Sequence, residues 1–142
     1  MSSLESRYVY EKQAELCRTQ NNRTIYDFHR DLLTLRREDE VFSLQDRRAI
    51  EGAVLSDRAF ALFYKNNNAR RLLIVNLGDD LDYSPCSQPF LALPRGKKWN
   101  LMWGSEDVRY GGGGIVPAHN KVGWYIPGRS AQVLSAQLKG DL

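Results

Sequence analysis

At 142 residues the chain is too short for a complete (β/α)8 barrel, which takes about 250 residues, and long enough for one small domain with a helical arm. Hydrophobic residues make up 42%, charged residues 26% and aromatics 11%, the balance of a soluble globular protein and not of a long disordered chain. The net charge of +3 has no focus: the first 48 residues carry nine basic and nine acidic side chains, and the rest carry eleven and eight. The basic runs are only pairs, Arg36-Arg37, Arg47-Arg48, Arg70-Arg71 and Lys97-Lys98, which argues against a nucleic-acid binder.

In chain order, the first ten residues include Glu5 and Arg7 and no apolar run, so no signal peptide is expected. No stretch approaches the roughly 18 uncharged apolar residues of a membrane span. Cys17 and Cys86 are isolated, without CxxC spacing, and read as two reduced thiols of a cytoplasmic protein. Leu4 to Gln20 is polar and reads as a weak helix or a loop.

From there the spacing predicts a helix. Ile25, Phe28, Leu32 and Leu35 recur at steps of three, four and three, with Leu33 and Tyr26 widening the stripe. Asn22 or Thr24 is the expected N-cap, Asp27 falls in the first turn, and Arg36 and Arg37 fall in the last, as the helix dipole prefers. This apolar stripe needs a surface to lie against, either the following domain or one outside the chain. The expected division is a helical arm over 1–48 and a β domain over 49–142.

After Arg48 come short apolar runs: Ala49 to Leu55, Ala59 to Tyr64, Arg71 to Leu77, Trp99 to Trp103, Gly123 to Ile126 and Ala131 to Leu134. Ser56-Asp57-Arg58 and Asn66-Asn67-Asn68 suit hairpins, and Gly78-Asp79-Asp80 marks a further turn. Leu72 to Val75 is apolar on both faces, as a central strand would be. Six or seven strands with no helix between them predict an antiparallel β-sandwich, and the five prolines fall between the runs.

Sites for chemistry are sparse. Gly128-Arg129-Ser130-Ala131-Gln132 misses the nucleophile elbow at its last position. His29 and His119 read as an arm histidine and a loop histidine. Asp79, Asp80 and Asp82 cluster, but a calcium loop starting at Asp80 would place Pro85 where glycine is needed and Leu91 where glutamate is needed. Gly111 to Gly114 lacks the following helix or Lys-Ser/Thr of a phosphate loop and reads as a tight turn touching another surface. No catalytic, cofactor-binding or metal-ligating residue is assigned, and no cofactor is expected. Trp99, Trp103, Tyr110 and Trp124 are candidate sugar-stacking residues, with core packing as their more ordinary use.

One resemblance covers about Asn22 to Val133. Arg30-Asp31-Leu32-Leu33-Thr34-Leu35-Arg36-Arg37-Glu38 resembles the last barrel helix of glycoside hydrolase family 13. Asp46 to Leu55, Leu72 to Gly78 and the more specific Trp103-Gly104-Ser105-Glu106-Asp107-Val108-Arg109-Tyr110-Gly111-Gly112 are similar to the C-terminal end of the malto-oligosyltrehalose trehalohydrolases within that family. The resemblance implies an α-amylase-type C-terminal β-sandwich packed on a catalytic barrel, in an enzyme class that releases trehalose from maltooligosaccharide derivatives. Retaining hydrolysis there requires two carboxylates about 5 Å apart on barrel strands. Those strands align with nothing here, so no residue inherits a catalytic role, and no hydrolase activity is expected of the chain alone. The expected partner is a barrel, in the parent enzyme or in a separate chain, which Ile25, Phe28, Leu32 and Leu35 would contact. With no barrel present, the stripe predicts self-association. A free-standing module binding maltooligosaccharide through exposed Trp and Tyr is the other expectation.

Overall fold

The helical periodicity is realised in α1 (Gln20–Glu38), with Arg36 and Arg37 in its last turn. These details come from a computed structural model, which describes residues 7–9, 11–12, 20–66, 69–83, 89–121 and 123–138. Cys17, Cys86, Pro85, Asn67, Asn68 and most of the polar segment before Gln20 lie outside the described residues. The start of the helix corrects the sequence expectation: Asn22 and Thr24 lie inside it, and Asp27 belongs to its second turn. The apolar stripe starts only at Ile25, so by itself it does not mark the first turn.

Asp39 ends the helix. Its carboxylate accepts from the backbone N–H groups of Val41 (2.9 Å) and Phe42 (3.1 Å), which turns the chain into a 3-10 segment, Phe42–Leu44. A second 3-10 turn, Arg47–Ala49, is opened by Asp46, whose side chain accepts from Arg48 N–H at 3.0 Å. Short acidic side chains do this because they satisfy N–H groups that a helix would otherwise pair.

Among the described residues seven strands follow: β1 (Ile50–Ser56), β2 (Ala59–Lys65), β3 (Arg70–Asn76), β4 (Leu81–Asp82), β5 (Lys97–Gly104), β6 (Tyr125–Ile126) and β7 (Ser130–Leu138). Five form an antiparallel sheet in the order β1-β2-β3-β7-β5, and β4 pairs with β6 in a second sheet. The doubly apolar run Leu72 to Val75 is the central strand, β3.

One face of the large sheet carries Ala61, Phe63, Leu72, Ile74, Trp99 and Leu134, and it is buried beneath Leu91, Ala118, Trp124 and Ile126 from the second sheet and its loops. Leu72, Ile74, Ile126 and Leu134 are fully buried, each contributing about 1.5–3 kcal/mol by leaving water. Two polar side chains on this face fasten the covering layer. Gln132 accepts from Ala118 N–H at 2.9 Å and donates to the Val116 carbonyl at 2.6 Å. Asn76 donates to the carbonyls of Asp79 and Ile126 and accepts from Gly78 N–H.

A bulge in β5 shapes the opposite face. Pairing with β7 passes from Leu101↔Leu134 directly to Trp103↔Val133, leaving Met102 extra. A one-residue slip reverses the side-chain alternation. Trp99 therefore enters the core, while Trp103 emerges on the far face, beside the residues that receive α1.

Candidate functional site

Among the described residues, Trp103 begins the one cluster that joins residues from both candidate groups. After β5 the chain turns at Ser105 and Glu106, and Asp107 opens a 3-10 turn, Val108–Tyr110, by accepting from Arg109 N–H at 2.9 Å. Gly111, at φ 82°, closes it in a left-handed conformation that glycine adopts without strain. The next glycine is required for space. A Cβ on Gly112 would sit 2.3 Å from the Glu106 carbonyl oxygen, and Gly114 N–H bonds that same oxygen at 2.8 Å. The surface that the tetraglycine touches is thus its own chain, and the turn aims Tyr110 at α1.

There Phe28 meets the rings of Trp103 and Tyr110 edge-on, with both centroids at 5.2 Å. Polar bonds frame these contacts. Trp103 Nε1 donates to the Tyr110 hydroxyl at 3.1 Å, and that hydroxyl donates to Asp31 Oδ2 at 2.6 Å. Arg30 and Arg109 lie 3.3 and 3.9 Å from the same carboxylate. The Tyr110 hydroxyl holds the Asp31 carboxyl below the usual carboxylate range, against the opposing effect of burial, and the Arg30 and Arg109 guanidiniums add to it. Burial, and then the adjacent Asp31, pushes the Tyr110 phenol up. The other end of the helix is pinned through Asp39, which meets Arg71 Nε at 3.0 Å; side-chain exposures there are 6% and 10%. Glu40 reaches the same guanidinium at 3.2 Å.

The two candidate groups are therefore divided. Phe28, Leu32 and Leu35 are half-buried, with Phe28 on the chain's own Trp103 and Tyr110, whereas Ile25 is 56% exposed. Tyr26 and Leu33, at 64% and 60%, share that outward flank with Ile25. Of the sugar-stacking candidates, Trp99, Trp103 and Trp124 are only 7%, 8% and 5% exposed. Trp99 donates to the Leu91 carbonyl within the core, the Trp124 ring lies tilted against His119 with centroids 4.7 Å apart, and Trp103 lies under α1. The four rings form no common platform, because the bulge divides the β5 tryptophans between faces and the core takes two of them.

Sequence reasoning missed Asp31, Asp39, Arg71 and Arg109. The arginine pair that opens the strongly apolar β3, Arg70-Arg71, was the available signal for Arg71. His29 is exposed, with Nδ1 2.8 Å from the Ile25 carbonyl, and burial pushes the His119 imidazole down. Asp107 is occupied as a cap, and Asp80 holds Gly128 N–H at 2.7 Å and the Tyr125 hydroxyl at 2.9 Å. Among the described residues no group of three or more His, Cys, Asp or Glu is placed to hold a metal ion, and no helix is long and apolar enough to cross a membrane. What this arrangement does chemically is fasten an amphipathic helix by one flank and present the other. No protein-family model and no curated protein matches the chain.

Proposed function

We propose that the chain is a non-catalytic β-sandwich module of the kind that closes the barrel of a malto-oligosyltrehalose trehalohydrolase-like enzyme of glycoside hydrolase family 13. In this reading the five-stranded sheet and the β4–β6 layer are the two sheets of a small sandwich, and α1 stands where the last barrel helix stands. The module works in the cytoplasm by packing against a barrel and stabilising it. The barrel belongs to the same enzyme or to a separate chain.

The observation that supports this reading best is the two-sidedness of α1. Phe28, Asp31 and Asp39 fix it to Trp103, Tyr110 and Arg71, while Ile25, Tyr26 and Leu33 remain outside. Large apolar side chains grouped on one helix flank are costly in water and mark a surface that a partner covers. The buried tryptophans leave the glycan-binding alternative without its platform.

The test is association with a family 13 barrel lacking its own C-terminal region. A one-to-one complex by light scattering and a raised barrel melting temperature are expected, both abolished by the double substitution Ile25→Asp/Leu33→Asp in a chain that keeps its circular dichroism. A wild-type chain that stays monomeric beside the barrel overturns the reading. Incubating the chain alone with maltooligosyltrehalose should release no trehalose. Release would refute the non-catalytic assignment.

A further inference from the structure

The two edges of the large sheet, β1 and β5, are built differently. β5 carries Lys97, Lys98 and the Met102 bulge, devices that keep an edge from pairing with another chain. β1 has neither lysine nor proline, and Glu51 is its single charge. Gly52 is exposed, and a residue without a side chain can expose only its backbone. Apart from the ladder with β2, Ile50–Ser56 makes no backbone hydrogen bond among the described residues. Pairing with β2 skips Leu55, so the regular stretch open to a further strand is residues 50–54.

Side chains on the face that receives α1 favour one occupant for this edge. One cross-strand row joins Val75, Phe60 and Val54, the next Leu73, Leu62 and Gly52, and a third joins Tyr64 and Ile50. Val54 is 74% exposed and Phe60 36%, so the first row is apolar and open at the edge. An antiparallel edge is complementary to itself, because a two-fold axis sets N–H groups of one copy against carbonyls of the other. With Gly52 of both copies on that axis, Val54 of each copy lies opposite Ile50 of the other. The row from Val75 through Phe60 and Val54 then continues to Ile50 and Tyr64 of the second copy. Glu51 falls opposite Ala53, with no charge directly facing it, and Arg47 comes beside Asp57. Neighbouring registers are worse. Centring on Glu51 sets carboxylate against carboxylate, and centring on Ala53 sets Val54 against Gly52 and Ile50 against Ser56.

We propose that β1 is the docking edge for a second copy of this chain, joining two five-stranded sheets across a two-fold axis at Gly52. The paired stretch is short, so the association is weak, with a dissociation constant of about 1–100 μM. This inference is independent of the barrel-packing reading, since Ile25, Tyr26 and Leu33 take no part in it.

The test is sedimentation equilibrium of the full chain up to about 1 mM, with isotope-filtered NMR on mixed labelled and unlabelled copies. A monomer–dimer equilibrium is expected, with NOEs between the Val54 methyls of one copy and Ile50 of the other. Val54→Lys should weaken the dimer about tenfold, because symmetry counts the lost contact with Ile50 twice. The intermolecular NOEs need no variant, so they keep the test open should V54K fail to fold. The double substitution Ile25→Asp/Leu33→Asp should leave the dimer intact. The proposal is overturned if the chain stays monomeric at about 1 mM, or if folded V54K dimerises as the wild type does. It is also overturned if the intermolecular NOEs omit β1, or if the helix double substitution abolishes the dimer. A chain that is monomeric alone, but whose β1 amides shift when the family 13 barrel is added, assigns the edge to the barrel and overturns the second copy.

Discussion

The Tyr110 hydroxyl donates to the Asp31 carboxylate at 2.6 Å, joining residues 79 positions apart. Tyr110 belongs to a turn that follows the edge strand, and Asp31 to a helix that precedes every strand. The bond is therefore a measure of whether α1 and the β domain behave as one unit. Its surroundings strengthen it: Trp103 donates to the same hydroxyl, and Phe28 packs against both rings.

Tyr110→Phe keeps the ring and removes the hydroxyl. Trp103 Nε1 then loses an acceptor and Asp31 its shortest donor. Unfolding in urea should show a loss of about 1–2 kcal/mol, within the range for a hydrogen bond to a charged group. An unchanged midpoint would mean that the helix is held by Phe28 and Asp39 alone.

The same carboxylate sets a pH dependence. The Tyr110 hydroxyl first, then Arg30 and Arg109, hold the Asp31 carboxyl below its ordinary range in the folded chain. Unfolded, it takes up a proton near pH ~3.9. A depressed folded value means that the contribution is complete above the unfolded value and is lost as pH falls through the folded one. Asp31→Asn should therefore melt below the wild type at pH 7, and the gap should close on acidification below about pH 4. A gap of constant size down to pH 3 contradicts this assignment.

How far these contacts could be read in advance depends on their range in sequence. The helix was legible because Ile25, Phe28, Leu32 and Leu35 repeat locally, and β3 because Leu72 to Val75 is apolar on both faces. Which flank of the helix meets the domain was not legible, since Asp31 and Asp39 find Tyr110 and Arg71 only through the fold. The fate of the tryptophans turned on the bulge at Met102, and nothing in Asn100-Leu101-Met102 announces an extra residue. Simple alternation would have put Trp99 and Trp103 on one face.

Asp39 and Glu40 both meet Arg71, but Asp39 does so from a buried side chain that is also a cap. It caps Val41 and Phe42 and faces Arg71 from a side chain only 6% exposed, whereas the Glu40 side chain is 67% exposed. Asp39→Ala leaves two N–H groups without their acceptor and a buried guanidinium with one solvated partner. A loss of about 3 kcal/mol is expected, the lower end for breaking a buried pair. Glu40→Ala should cost less than about 1 kcal/mol, as solvated pairs do. Equal effects in parallel urea titrations would show that Arg71 is held by charge alone and not by the Asp39 geometry.

The tetraglycine offers a comparison between neighbours of identical chemistry. A Cβ at Gly112 would lie 2.3–2.5 Å from three backbone atoms of Glu106, none of which can move without breaking the turn. At Gly113 a Cβ meets nothing within 4 Å, and the backbone there is not in the left-handed region. Gly112→Ala should thus cost about 2 kcal/mol or more through forced strain. It should also shift tryptophan emission to the red, as the displaced turn withdraws Tyr110 and uncovers Trp103. Gly113→Ala should leave the emission unchanged and raise stability by at most about 0.5 kcal/mol, by restricting the unfolded chain. If both alanines behave alike, the turn does not depend on the close approach to Glu106, and the tetraglycine does not position Tyr110.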